Sequence, residues 1–296
     1  MLRESKELRL DTRAGRVALL HWPAQHDGAA TVLCLHGWLD NAASFLPLAQ
    51  HLGGLDLYAL DFPGHGHSDH RPAGARYAFT EYLFDVDAVL DALGWERASL
   101  LGHSMGGGVA CIYAAAAPER VERIVVVDGL GPVSNDEANT ARQLRKSLDW
   151  LRRSRRPLRR FDSVEDMAKA RTDEGFLVIS RDAARLICER AARRVADGDG
   201  DHFVWRTDPA LRWNSPMMLS EAQILNCLAR IEAPVLSFHA QPWTATHVRE
   251  RIAKRQAALD HGHFRDVEGN HHFHMDEAEC IAPEIQAFFQ GHANDD

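Results

Sequence analysis

Short, continuous apolar runs alternate with segments of helical periodicity along most of this chain. The runs occupy residues 31–35, 55–60, 98–101, 124–127 and 235–238. Runs of this kind predict strands that are buried on both faces, as in a parallel sheet. Because helical segments separate them, the sequence predicts an α/β fold with a mostly parallel, doubly wound sheet.

Two stretches depart from this alternation. Apolar and polar residues alternate over 6–10 and 16–22, on either side of Ala14-Gly15, which predicts an antiparallel hairpin at a sheet edge. Residues 131–220 carry helical patterns and no strong buried-strand run. We therefore expect an inserted helical cap at 131–220 and a core formed by residues 1–130 and 221–296.

A tight turn joins the third of the central strands to a helix of small residues. It reads Gly102-His103-Ser104-Met105-Gly106 and is followed by the helical pattern 107–117. A turn of this kind strains the central residue and brings neighbouring segments close, so its flanking positions must lack a Cβ. Gly-x-Ser-x-Gly alone is common by chance, but its position between a strand and a helix predicts that Ser104 is an exposed nucleophile.

A serine nucleophile needs a base, and imidazole is suited to that role near neutral pH. The chain has 17 histidines, but the base is expected on a loop after the final strand. There the chain reads Gly269-Asn270-His271-His272-Phe273-His274, after the strand pattern 263–267. Both His271 and His274 fit by spacing, and His271 directly follows the Gly-Asn turn.

The third member of such a site is a carboxylate that orients the imidazole. The loop after residues 235–238 is the usual place for it, yet residues 239–247 contain neither Asp nor Glu. Glu250 is the nearest acid and lies inside a helical pattern. We favour Asp128, which follows the strand 124–127, because sites in open α/β sheets form at the strands' carboxyl ends.

Acyl chemistry also needs donors for the developing oxyanion. One is the amide that follows the nucleophile, and the other comes from the loop after the first parallel strand. The candidates here are the Met105 and Trp38 amides, the latter within His36-Gly37-Trp38.

Composition and charge exclude several other classes of protein. A net charge of −8 gives no basic footprint for nucleic acid, and no run is long enough to span a membrane. The N-terminus lacks a secretory signal, and the five cysteines form neither a disulfide pattern nor a metal spacing. Five histidines cluster near the C-terminus without a zinc motif: His261, His263, His271, His272 and His274. We therefore expect a cytoplasmic protein with no cofactor and no metal ion.

One segment is strongly basic. Residues 142–160 carry nine Lys and Arg against a single acid, Asp149. Leu144, Leu148 and Leu151 form one helical stripe, which favours a helix whose charges are its solvated face. The other interpretation is a surface that attracts an anionic substrate.

Four segments together resemble the α/β-hydrolase superfamily and, within it, the serine hydrolase-like proteins. They are residues 33–42 (LCLHGWLDNA), 61–68 (DFPGHGHS), 102–107 (GHSMGG) and 269–275 (GNHHFHM). The resemblance covers both parts of the core and is weak in the cap. It implies an α/β-hydrolase fold, a nucleophile at Ser104, a base at His271 and an oxyanion hole at Trp38 and Met105. Related haloalkane dehalogenases carry their acid after the equivalent of residues 124–127, which supports Asp128.

The expected function is therefore hydrolysis of a carboxylic ester or similar small acyl substrate through an acyl-enzyme. Two alternatives remain open at this point. One is a cofactor-free perhydrolase or acyl transferase that uses the same residues. The other is a ligand-binding, receptor-like protein with little turnover, which the unusual position of the acid suggests.

Overall fold

The computed structural model describes residues 3–152, 158–174, 178–198, 200–241 and 246–291. Its strands are β1 Lys6–Thr12, β2 Gly15–Trp22, β3 Thr31–Leu35, β4 Asp56–Asp61, β5 Ala98–His103, β6 Val121–Val127, β7 Ala192–Asp197, β8 Gly200–Trp205, β9 Val235–Gln241 and β10 Gly262–Glu268. Its helices are α1 Leu46–His51, α2 Glu81–Leu93, α3 Met105–Ala116, α4 Thr140–Arg152, α5 Val164–Glu174, α6 Arg181–Ala191, α7 Glu221–Leu228, α8 Thr246–Gln256, α9 Phe273–Asp276 and α10 Ala278–Phe289.

Eight strands form one sheet in the order β1-β2-β4-β3-β5-β6-β9-β10. The pairs β1/β2 and β2/β4 are antiparallel, and every other neighbouring pair in this sheet is parallel. The prediction of a mostly parallel α/β sheet is confirmed. Strands β3 and β5 are fully or almost fully buried, because helices cover both faces of the sheet.

Two apolar clusters fill the space on the two faces of the sheet. One contains Leu33, Leu35 and Leu100 with residues of α2 and α3. The other contains Val32 and Cys34 with residues of α1 and α10. Successive residues of β3 thus alternate between the two clusters, as the two-residue period of a strand requires. Among the described residues, no helix is long and apolar enough to cross a bilayer.

The predicted cap segment, 131–220, is not wholly helical. It carries α4, α5 and α6, and also an antiparallel hairpin of β7 and β8. The prediction missed this hairpin because most of β7 is exposed and its sequence includes Arg193 and Arg194 rather than an apolar run. A third apolar cluster lies in this segment, around Met167 and Ile187.

The charged residues Arg142, Arg145 and Lys146 of α4 are exposed as predicted, but the leucine stripe does not face the protein. Leu144 and Leu148 are 41% and 51% exposed, whereas Ser147 is buried and its Oγ accepts a hydrogen bond from Arg76 at 2.8 Å. The expectation that the leucines face the protein is therefore wrong for these two residues. The Leu151 side chain and residues 153–157 of the basic segment lie outside the described parts of the chain.

Two buried imidazoles hold the loops that follow β3 and β4. His36 Nε2 accepts a hydrogen bond from the Phe62 amide at 3.0 Å, and His65 Nε2 accepts one from the Leu39 amide at 3.2 Å. A nitrogen that accepts cannot carry a proton. Burial lowers the pKa of His36 to about 4 and that of His65 to about 3. Both rings are therefore neutral at physiological pH.

We expect acid to destabilise the fold through these two histidines. In the unfolded chain they take up protons near pH 6.5, well above their pKa in the fold. Because the unfolded state then binds more protons, the free energy of unfolding should fall as the pH drops from about 6.5 toward 4. Urea unfolding across this range measures the slope. His65→Gln keeps an acceptor oxygen near the position of Nε2 for the Leu39 amide and removes one titrating group, so the slope should decrease by about one proton. An unchanged slope would contradict the assignment.

Candidate active site

Ser104 lies between β5 and α3 in a backbone conformation that is rare for a residue with a side chain. Its φ is 50° and its ψ is −113°. The neighbouring glycines make this turn possible. A Cβ at Gly106 would lie 1.9 Å from the Leu35 carbonyl oxygen, and one at Gly102 would lie 2.5 Å from the Gly106 backbone. The local sequence thus presses the start of α3 against the end of β3 and leaves Ser104 partly exposed.

Asp128 directly follows β6 and is held by the neighbouring strand β9. Its amide donates to the Phe238 carbonyl at 2.8 Å, and its Oδ1 accepts from the Ala240 amide at 3.1 Å. The side chain is 2% exposed. Its φ of 49° turns the chain away from the sheet. The Oδ1 atom is thereby used to position the Asp128 side chain, and Oδ2 remains free to accept a hydrogen bond from a partner side chain.

That partner is His271, on the loop after β10. His271 Nδ1 lies 2.5 Å from Asp128 Oδ2. A carboxylate only accepts, so Nδ1 carries the proton, and in a neutral ring Nε2 has the free lone pair. His271 Nε2 is buried and has no hydrogen-bond partner in the described part of the chain. This is the arrangement that a general base requires.

The Ser104 turn lies directly against the segment that carries Asp128. The Ser104 amide donates to the Val127 carbonyl at 2.9 Å, and a Cβ at Gly129 would lie only 2.2 Å from the Ser104 carbonyl oxygen. The structure therefore places the Ser104 backbone against the segment that carries Asp128, and the Asp128 carboxylate contacts His271.

The two predicted oxyanion donors are the Met105 amide, at the start of α3, and the Trp38 amide, in the loop after β3. The contact between Gly106 and Leu35 holds these two segments together. Met105 is the first residue of α3, so its amide has no partner within the helix. Trp38 lies three residues after the end of β3, and its indole Nε1 donates to the Leu211 carbonyl at 3.2 Å. Its side chain is 45% exposed and so forms part of the surface beside the site.

The alternative candidates lie elsewhere. His274 is fully buried, and its ring centroid lies 4.0 Å from that of His103, with the two planes tilted by 33°, instead of meeting Asp128. Glu250 is exposed on α8. Residues 242–245, part of the loop that lacks an acid, lie outside the described residues.

Sequence reasoning did not identify His103 as part of the site. Its Nε2 lies 2.9 Å from the His271 carbonyl oxygen, so this residue joins the Ser104 turn to the loop of the candidate base. Burial lowers the pKa of His103 to about 4. A histidine before the serine was visible in the sequence, but nothing there indicated its partner.

Across the described residues, one group has the spacing of metal ligands: Asp40, His103 and His272.

Comparisons with known proteins agree with this architecture. A family model described as the alpha/beta hydrolase fold matches residues 30–171. A serine hydrolase-like protein of Danio rerio is 33% identical, over 100% of this chain and 91% of that protein. A crystal structure of a hypothetical protein from Pseudomonas aeruginosa PAO1 is 37% identical, with a TM-score of 0.86 over 96% of this chain and 99% of the other. The thioesterase domain from the curacin biosynthetic pathway, 23% identical, has the same fold with a TM-score of 0.79 over 95% of this chain and 99% of that domain.

We expect Gly129→Ala to disrupt the site and destabilise the protein. Its Cβ would lie 2.2 Å from the backbone of Ser104, so two backbone segments would have to separate. Overpacking of this kind costs about 1–3 kcal/mol. Gly198→Ala is the matched control, because no atom lies within 4 Å of its added Cβ. The free energies of unfolding in urea test this; equal stabilities of the two variants would contradict the close approach.

Proposed function

The chain belongs to the serine hydrolase-like family of α/β hydrolases, and from that premise we propose that it cleaves a carboxylic ester or a similar small acyl substrate. The observation that carries the proposal is the 2.5 Å contact between His271 Nδ1 and Asp128 Oδ2, beside the strained turn of Ser104. In this proposal Ser104 is the nucleophile, His271 is the base and Asp128 orients the base.

Acylation begins with attack of Ser104 Oγ on the substrate carbonyl carbon. His271 Nε2 takes the serine proton, and the ring becomes an imidazolium that Asp128 stabilises. The same proton then passes to the leaving-group oxygen, which departs as an alcohol and leaves an acyl-enzyme at Ser104. Water repeats the sequence with His271 again as the base, and the acid product is released. No cofactor takes part in these steps.

The Trp38 and Met105 amides are proposed to hold the oxyanion that forms in each half of the reaction. The Gly106–Leu35 contact supports this role, because it fixes the start of α3 beside the loop after β3. Donors that are fixed in advance need no reorganisation when the charge develops. Loss of one such donor costs about 10²- to 10³-fold in turnover in other enzymes.

The proposal includes the division of the chain into a core and a cap. Residues 1–130 and 221–296 contribute all eight strands of the large sheet, and residues 131–220 contribute α4, α5, α6 and the hairpin. We also propose a cytoplasmic location. Its support is that the five cysteines are free thiols, as is usual in a reducing compartment.

A fluorophosphonate probe tests whether Ser104 is activated. We expect one adduct by intact mass on the wild type and none on Ser104→Ala, with turnover of p-nitrophenyl esters of graded chain length lost in parallel. Ser5→Ala, ahead of β1, is the control and should label normally. A wild-type protein with neither adduct nor turnover would overturn the hydrolase proposal in favour of a receptor-like protein. Transfer to an added alcohol or peroxide in preference to water would favour the acyl transferase or perhydrolase.

Asp128→Asn tests the acid. The change should lower turnover by about 10⁴-fold, as the equivalent change does in a serine protease, because the amide cannot hold the correct tautomer of the base. Glu250→Gln is the matched control and should keep wild-type turnover. The reverse result, with activity lost in Glu250→Gln and kept in Asp128→Asn, would assign the acid to α8.

A further inference from the structure

Three buried side chains next to the candidate site converge on a single point. Asp40 Oδ2 lies 3.4 Å from His103 Nδ1 and 3.4 Å from His272 Nε2. The three side chains are 1–4% exposed, and their ligand atoms all lie within 4.8 Å of one another. The residues come from three segments: the loop after β3, the end of β5, and the loop after β10.

Hydrogen bonds to backbone carbonyls determine which nitrogen of each imidazole carries the proton. The other nitrogen of each ring faces Asp40 with a lone pair. His103 Nε2 lies 2.9 Å from the His271 carbonyl oxygen, and His272 Nδ1 lies 3.1 Å from the Val178 carbonyl oxygen. Since a carbonyl only accepts, these nitrogens carry the protons. In neutral rings, His103 Nδ1 and His272 Nε2 then both direct lone pairs at Asp40 Oδ2. His103 Nδ1 is buried and has no hydrogen-bond partner among the described residues.

Lone pairs that converge on a carboxylate oxygen require either a proton or a metal ion between them. We propose that Asp40, His103 and His272 bind a Zn²⁺ ion, which links the Ser104 turn to the loop of His271. Two imidazoles and one carboxylate are a common protein ligand set for zinc, with water in the fourth position. At bond lengths of about 2.0–2.2 Å, tetrahedral ligand atoms lie about 3.3–3.6 Å apart. The two distances from Asp40 Oδ2 match this spacing, and the two ring nitrogens, which lie within 4.8 Å of each other, would approach to the same spacing when the ion binds.

The surrounding contacts are those of a metal site. Metal-bound imidazoles usually donate their other ring N–H to a carbonyl or carboxylate, and metal-bound carboxylates are themselves hydrogen-bonded. Both imidazoles here meet this condition. The second oxygen of the carboxylate, Asp40 Oδ1, accepts from Arg171 of α5. All three proposed ligands therefore have an outer partner that fixes their orientation.

The proposal does not depend on the hydrolase reaction, because metal binding can be measured without a substrate. The chain of 296 residues, without an affinity tag, is freed of metal with a chelator and titrated with Co²⁺ and then Zn²⁺. We expect about one Co²⁺ per chain with the visible d–d absorption of a tetrahedral site, and displacement of Co²⁺ by Zn²⁺. Absence of that absorption in the wild type overturns the proposal, and the cluster is then a network held by protons alone.

Two variants assign the site. His272→Gln removes a ligand and should weaken Zn²⁺ binding by more than about 100-fold, since loss of an outer partner alone costs about 10- to 100-fold. His261→Gln, an exposed histidine of the same C-terminal cluster, is the control and should bind normally. Tetrahedral absorption that survives in His272→Gln, or disappears in His261→Gln, would overturn the assignment.

Gly37→Ala tests the same site while all three ligands are retained. It is the decisive variant in the case that His272→Gln does not fold. The added Cβ would lie 2.8 Å from Asp40 Oδ2 and 2.9 Å from His103 Nδ1, between the two ligand atoms. We expect loss of tetrahedral Co²⁺ absorption with the far-ultraviolet circular dichroism unchanged. Normal Co²⁺ binding by this variant would place the ion elsewhere and overturn the proposal.

Discussion

The close packing of the start of α3 against the end of β3 is the constraint on which the candidate site depends. At Gly106 there is no space even for a methyl group, because the Leu35 carbonyl occupies that position. This contact sets the height of Ser104 above the sheet and the distance between the Met105 amide and the loop that carries Trp38. A side chain at Gly106 would move α3 away from the sheet, and both Ser104 and the Met105 amide would move away from the loop that carries Trp38.

Buried charges tie the cap to the same loops. Arg190 of α6 bonds to Asp61, which is fully buried at the end of β4, and also reaches Glu7 of β1. Arg171 of α5 bonds to Asp40 and to the Leu39 carbonyl. Breaking a buried pair of this kind by removing one partner costs about 3–5 kcal/mol. Residues 131–220, the proposed cap, therefore help to fix the loops that follow β3 and β4.

The sheet and the three candidate catalytic residues could be predicted because each has a local signature. Buried strands appear as apolar runs, the nucleophile turn as closely spaced glycines, and Asp128 and His271 as polar residues directly after strands. The relation of Asp40 to His103 and His272 could not be predicted, since no spacing along the chain links three separate loops. The orientation of α4 was wrong for a different reason. Its leucines have helical spacing, but the side of the helix that faces the protein is the one with Gln143 and Ser147, which make hydrogen bonds there.

The pairing of β6 with β9 has a consequence for synthesis of the protein. Asp128 is positioned by the backbone of Phe238 and Ala240, which the ribosome adds more than 100 residues later. At about 5–20 residues per second, the edge of β6 stays unpaired for roughly 5–20 s while residues 131–220 emerge. An exposed apolar strand edge is prone to wrong pairing. Nascent chains of this length thus carry the complete turn around Ser104, but Asp128 is not yet in place and His271 has not yet been added. They depend on protection of one strand edge until the C-terminal part is made.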